Sequence, residues 1–389
     1  MAEVATKGLV RAKDIYQERD KRVRELKAEG KQVLGYMCIG PVQELITAAD
    51  MVPYRIFGDM REPITDADTF IGATICAFVR SSLDVGLKGR YDFIEGVVFA
   101  HMCDEIHALA DVWRQSIDMP YCFFLDTPST VEERGLKQMK AHIEDFKTSL
   151  EQYTGKEITQ VKIKEAIAAH NQQRALVREL YGLRKPDPPL MSGVETLQVI
   201  KSVMSLPVEE GSQLLREVIS DVKERKDGPT KKKRLLVWGP VIDDISFMEM
   251  IEDLGANIVM DDTCVGSRAF WDDVEVSDDP LGDLAYHYLI DIKCPRTFRE
   301  PEFGALSKDY SKDLEFRYEY LKSYANDWSA DGAILEWVRY CDTHGYDAPS
   351  IRDYFDSLGL PHISLEQDYS EAALAPMRTR VQGLLEVIG

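Results

Sequence analysis

The sequence predicts an α/β protein with mostly parallel sheets, and three observations carry that prediction. Apolar runs of strand length alternate with stretches of helical length through the first third, and the same rhythm resumes after residue 229. The strand candidates are apolar almost throughout instead of alternating with polar residues, as expected of strands covered on both faces. Residues 129–228, between these two parts, carry helical periodicity without a strand signal. At 389 residues, 44% of them apolar, the chain is too long for one typical core and rich enough to fill more than one.

Taken in order, "KQVLGYM" (31–37) is a strand, "PVQELITAAD" a helix and "MVPYRIF" (51–57) a second strand. "FIGATICAFVRSSLDVGL" (70–87) has helical length and spacing, followed by the strand "DFIEGVVFA" (92–100), the helix "CDEIHALADVWRQS" (103–116) and the strand "MPYCFFLD" (119–126). Two long amphipathic patterns follow, the second opened by Thr159, until three prolines in "RKPDPPL" (184–190) break them. Further helix runs to about Val222, and "KERKDGPTKKKR" (223–234) reads as a solvated linker. Beyond it come the strand "RLLVWG" (234–239), the helix "DDISFMEMIEDLG" capped by Asp243 or Asp244, and the strand "ANIVMDD" (256–262). "GAILEWVRY" (332–340) and "HISLE" (362–366) are later strands, and "ALAPMRTRVQGLLEVI" is a closing helix. The expected organisation is two Rossmann-like or flavodoxin-like α/β domains, 1–128 and 229–389, joined by a helical bridging segment, 129–228.

A net charge of −20 argues against nucleic acid as a partner, because phosphates call for a basic surface. The opening residues read as a charged helix, not a signal peptide, and no run of about 18 apolar residues suggests a membrane span. Seven cysteines, an odd number, read as reduced thiols in a cytoplasmic protein instead of a disulfide framework. The chain has no G-x-x-x-x-G-K-[ST], no G-x-G-x-x-G opening a helix and no G-x-S-x-G, so P-loop, dinucleotide and nucleophile-elbow chemistry lack their fingerprints. His101 and His107 are six apart, off the i, i+4 spacing of a zinc helix.

The cysteines follow a pattern of their own. Cys38, Cys103, Cys264 and Cys341 each fall at or just past the carboxyl end of a predicted strand, the edge where open α/β sheets bind ligands. Cys76 lies inside or at the start of a predicted helix that can present it to the same crevice; Cys122 reads as a core thiol, and Cys294 as a loop or outer-shell residue. No C-x2-C spacing supports a zinc site or a ferredoxin-type cluster, so only convergence of separate loops can gather these thiols on one cluster.

Longer stretches speak more specifically. "GYMCIGPVQELITAADMVPYRIFGD", "ICAFVRSSLDVGLKGRYDFIEGVVFAHMCDEIHALADVW", "LLVWGPVIDDISFMEMIEDLGANIVMDDTCVGSRAFW", "CPRTF", "DGAILEWVRYCDTHGYDAPSI" and "LPHISLEQDYSEAALAPMRTRVQGLLE" together resemble the 2-hydroxyacyl-CoA dehydratase and benzoyl-CoA reductase family, in order and over nearly the whole chain. The resemblance implies a [4Fe-4S] cluster held by Cys76, Cys103 and Cys341, with Cys38 and Cys264 as reserve ligands. It further implies a paralogous cluster-binding subunit as heterodimer partner, an ATP-hydrolysing iron–sulfur activator that delivers electrons, and an acyl-CoA substrate. Glu44, at a family position in "PVQELITAAD", is the implied acid/base candidate, and His344, three residues past a cysteine, is a second one by its position in the sequence, while Ser267 and Arg268 in "GSR" are candidates for an anionic CoA group and Arg80 and Ser81 for orienting the cluster or a phosphate. "VRYCDTHGYDAP" resembles the smaller catalytic subunit of ATP-dependent benzoyl-CoA reductases; the alternatives are a 2-hydroxyacyl-CoA dehydratase subunit, or a double-cubane [8Fe-9S] reductase drawing on Cys38, Cys264 and Cys294. A pure electron relay, with substrate held by the paralogue, is also compatible with these residues.

Overall fold

The computed structural model describes residues 7–299 and 309–389. Two helices, α1 (Lys7–Gln17) and α2 (Lys21–Ala28), precede the first sheet. Its elements are β1 (Gln32–Met37), α3 (Gln43–Ala48), β2 (Met51–Arg55), α4 (Ala77–Leu87), β3 (Gly96–Ala100), α5 (Asp104–Ser116) and β4 (Tyr121–Leu125). The helical segment contributes α6 (Glu133–Thr154), α7 (Gln160–Gly182), α8 (Gly193–Val203) and α9 (Val208–Glu224). Then come β5 (Lys233–Trp238), α10 (Ile245–Asp253), β6 (Ala256–Asp262), α11 (Pro280–Tyr286), α12 (Tyr310–Asp327), β7 (Gly332–Val338), α13 (Asp342–Leu358), β8 (His362–Gln367) and α14 (Leu374–Val387).

Both sheets are four-stranded and fully parallel, with orders β2-β1-β3-β4 and β6-β5-β7-β8. In each, the chain lays its second strand on one side of the first and its third on the other. That reversal opens a crevice at the carboxyl ends of the first and third strands. Strands β2, β3 and β6 are buried along their whole length, which is why they read as unbroken apolar runs. The outer strands β4 and β8 are only partly buried.

The helical segment closes the other two edges. The Arg55 amide at the end of β2 donates to Met204 O at 3.0 Å, and Arg184 Nη1 donates to Ile258 O of β6 at 3.2 Å. Helix α1 packs on α8 and α9, with Gly8 N donating to Asp221 Oδ2 at 2.7 Å.

Three boundaries differ from the sequence reading for identifiable reasons. The helix expected over 70–87 starts only at Ala77, because the Asp84 carboxylate accepts the amides of Thr65, Asp66 and Ala67 and folds residues 65–67 back onto α4. The strand expected over 332–340 stops at Val338, and Tyr340 turns the chain with φ 64°. Helices α11 and α12, between β6 and β7, have no counterpart in the sequence reading; α11 runs on into a π turn over His287–Asp291.

Candidate functional site

Cys76, Cys103 and Cys341 are the N-cap residues of α4, α5 and α13. None of the three side chains makes a capping hydrogen bond of good geometry, but the first-turn amides of Ile106 and His344 approach the Cys103 and Cys341 sulfurs closely enough to favour their thiolates. Three helix amino termini therefore present partial positive charge around these sulfurs, an environment that favours thiolate and anion. The backbone is bent to make this possible. Cys38, just past β1, has φ 69°, and Tyr340, just before Cys341, has φ 64°, both left-handed and both unfavourable for a side chain with a Cβ.

The cysteines are free, and all but Cys122 lie within electrostatic reach of another thiol. Hydrogen bonding with Cys76, then burial, pushes the Cys341 thiol well above the usual thiol range. Burial, then Glu105, Cys341 and Cys38, does the same to Cys103. Burial and the neighbouring Cys264 raise Cys38 to about 12, and burial and Cys264 raise Cys294 to about 11. One connected group thus contains Cys38, Cys76, Cys103, Cys264, Cys294 and Cys341, and the carboxyl edges of the two sheets meet there. Cys122 stands apart in β4, beside Arg114.

Cationic groups surround these sulfurs. Arg55, the last residue of β2, is 1% exposed, and its Nε and Nη2 have no hydrogen-bond partner. Its charge opposes the burial effect on both Cys38 and Cys264. A buried guanidinium without a counter-charge is costly, so the position calls for an anion. Arg268 is buried and donates from Nε and Nη2 to Asp262 at 3.0 and 2.9 Å, and from Nη1 to Gly239 O at 3.1 Å and Cys264 Sγ at 3.5 Å. Its Nη1 also lies 2.9 Å from His344 Nε2, while His344 Nδ1 lies 3.4 Å from Cys341 Sγ. Burial, then Arg268, holds the His344 pKa well below its ordinary value, so the ring is neutral. Beside the thiols, burial and then Asp342 bring Glu105 to about 7.

The other sequence candidates sit in closed networks. Glu44 is 0% exposed, ion-paired with Arg174 and hydrogen-bonded by Tyr288 Oη at 2.8 Å. Burial would raise its pKa, but Arg174, His170 and His287 together outweigh that and hold it at about 2. Ser267 Oγ donates to Asp261 O at 2.6 Å, and Ser81 Oγ accepts from Asp59 N at 2.9 Å. Arg80 pairs with Asp68. The donors of Arg268 are all directed at protein atoms, and the structure offers another basic surface. A cavity of about 440 Å3 is lined by Arg296, Arg299 and Arg317 together with Tyr318, Tyr346 and Thr343. Among the described residues, Arg296 and Arg299 donate only to backbone carbonyls, whereas Arg317 pairs with Asp347 at 2.7 Å. Neither Arg55 nor this cavity stood out in the sequence; a lone arginine inside the apolar run "MVPYRIF" was the one available signal for the former.

The family model described as "2-hydroxyglutaryl-CoA dehydratase, D-component" matches residues 38–388. The chain belongs to this family. Curated relatives of similar, modest identity include both reductase and dehydratase subunits. The chain is 26% identical to a subunit of benzoyl-CoA reductase from Thauera aromatica, over 90% of this chain and 88% of the relative. It is 24% identical to the (R)-phenyllactyl-CoA dehydratase beta subunit of Clostridium sporogenes, over 97% of each. With the beta subunit of (R)-2-hydroxyglutaryl-CoA dehydratase from Acidaminococcus fermentans it shares 23% identity over 92% of this chain and 93% of that one.

The residues at the thiol group suit the cluster that the family likeness implies. Among the described residues, no three His, Cys, Asp or Glu groups converge as tightly as a single metal ion requires. Thiolates on a cubane bind different irons and stand farther apart. Soft donors from separate loops, helix amino termini and the orphaned Arg55 together match an anionic iron–sulfur group in donor type and in charge.

Proposed function

We propose that this chain is the iron–sulfur subunit of an ATP-dependent aryl-CoA reductase of the benzoyl-CoA reductase type, working with a paralogous subunit and a separate ATP-hydrolysing activator. The observation that carries the reading is the group of buried and half-buried thiols, three of them N-caps of separate helices, with an unpaired buried guanidinium beside Cys38 and Cys264 of the same group. Cys76, Cys103 and Cys341 would hold the cluster, which when bound supplies one-electron chemistry at low potential. The three helix amino termini would offset its negative charge. Arg296, Arg299 and Arg317 suit the phosphates of an acyl-CoA, and Tyr318 and Tyr346 its adenine. The cavity touches the cluster residues through Thr343, whose Oγ1 is 3.8 Å from Cys341 Sγ, and Arg296 is close enough to Cys103 to sense its charge.

A second reading is favoured by one observation. Cys38, Cys264 and Cys294 join the same group, so there are thiols enough for a double-cubane centre. A 2-hydroxyacyl-CoA dehydratase subunit would share the single-cluster site.

Anaerobic purification with iron and sulfide analysis tests these readings. A single cubane gives about four irons per chain, and a double cubane about twice that. Cys76→Ala, Cys103→Ala and Cys341→Ala should each lose most of the iron–sulfur absorbance, whereas Cys122→Ala keeps it. A Cys103→Ala protein with a full cluster would overturn the assignment. Turnover of benzoyl-CoA against a 2-hydroxyacyl-CoA, with paralogue and activator present, separates reductase from dehydratase.

A further inference from the structure

We infer that His344 is a positioning residue: a relay from Asp262 through Arg268 fixes its proton on Nδ1 and aims that N–H at the Cys341 sulfur. The inference rests on the cluster reading above only for what the sulfur holds. Asp262 fixes the guanidinium through two contacts, Nε to Oδ1 at 3.0 Å and Nη2 to Oδ2 at 2.9 Å, and its backbone carbonyl accepts from Nη2 at 2.8 Å. Tyr320 Oη donates to Asp262 Oδ2 at 2.9 Å and orients the carboxylate in turn. Arg268 Nη1 then meets His344 Nε2 at 2.9 Å. A guanidinium has donors and no acceptor, so this contact needs a lone pair on Nε2. The Gly239 carbonyl also approaches the ring and has a second lone pair to offer, but a proton on Nε2 would be pressed against the guanidinium nitrogen 2.9 Å away. A neutral imidazole with a bare Nε2 carries its proton on Nδ1. That nitrogen lies 3.4 Å from Cys341 Sγ and 3.3 Å from Thr343 Oγ1. The Trp238 ring, 5.1 Å away between centroids, limits rotation of the imidazole.

A hydrogen bond donated to a ligating sulfur draws charge from it and favours the reduced cluster. His344 therefore sets the potential without touching substrate. The test uses the full chain, reconstituted anaerobically, as wild type, His344→Leu and His344→Asn, with iron content and midpoint potential measured for each. His344→Leu should keep its iron and titrate at a more negative potential. His344→Asn, whose side-chain N–H can stand in for Nδ1–H, should recover most of the difference. Equal potentials in wild type and His344→Leu, or loss of iron from both variants, would overturn the inference. Nitrogen-15 spectra of the metal-free wild-type imidazole provide an arm independent of the cluster. A protonated Nδ1 with a bare Nε2 supports the relay, and a protonated Nε2 overturns it. A wild-type chain that takes up no iron defeats the cluster reading instead, and leaves the spectra to decide the tautomer.

Discussion

Glu336 shows what burial does to a carboxyl that nothing compensates. It lies in β7 at 0% exposure, and neither oxygen has a hydrogen-bond partner. Burial pushes its pKa up to about 8; the Gln367 side chain pulls the other way but is too poorly aligned to bond. The folded-state value is above the unfolded one, near the usual carboxylate range. The folded chain therefore binds the extra proton between about pH 4.5 and 8, and stability falls as pH rises through that window. The slope from one such group is at most about 1.4 kcal/mol per pH unit. Denaturant midpoints of the metal-free protein should decline from pH 5 to pH 8, and Glu336→Gln should flatten that decline; an unchanged slope in the variant would show that Glu336 is not its source. Sequence was a poor guide to such residues. Glu336 in "AILEW" and Arg55 in "MVPYRIF" are lone charges in apolar runs, and only packing reveals which have partners.

At the level of elements, sequence was a better guide where burial is uniform. Strand β6 falls on the predicted 256–262, and β5 and β7 lie within a few residues of expectation, because a covered strand must be apolar throughout. Helix α10 begins after Asp244, whose side chain accepts from Ser246 N at 2.9 Å, the cap its sequence suggests. Helix α4 was mislocated, since apolar spacing does not register a loop fastened by Asp84. Close approach between strands sets a sharper constraint at Gly96, the first residue of β3, where a Cβ would stand 2.1 Å from Tyr121 O. The obstacle is backbone, so the strands themselves must part. Gly96→Ala should destabilise the chain by roughly 2 kcal/mol or more, read from denaturant unfolding, and should loosen the turn that delivers Cys103. An alanine variant as stable as the parent would contradict the register of β3 on β4.

For the molecule as a whole, the arrangement of two like sheets matters most. Their carboxyl edges meet, so Cys103 from the first and Cys341 from the second come within each other's electrostatic reach, and Cys38 is joined to Cys264 in the same way. Protein atoms alone leave two donors of Arg55 unpaired at that junction. A group that neutralises it and ties both halves together should stabilise the fold strongly, because its binding energy adds to folding energy. Iron-loaded protein should melt roughly 5 °C or more above the chelator-stripped chain in anaerobic scans. Identical melting curves would mean that iron does not bridge the halves. No helix among the described residues is long and apolar enough to cross a membrane.

The order of residues along the chain settled the fold class and the family, because apolar runs dictate parallel strands and long stretches of like wording are specific. It also placed cysteines at strand ends. Contacts between distant segments settled the rest: which thiols lie within electrostatic reach of one another, that Glu44 and Arg268 are hydrogen-bonded to protein groups, and that Arg55, though it lies over the Tyr36 and Phe57 rings, has donors left without a hydrogen-bond partner. Such facts depend on what faces each side chain across the fold, and partners separated by hundreds of residues leave no local pattern to read.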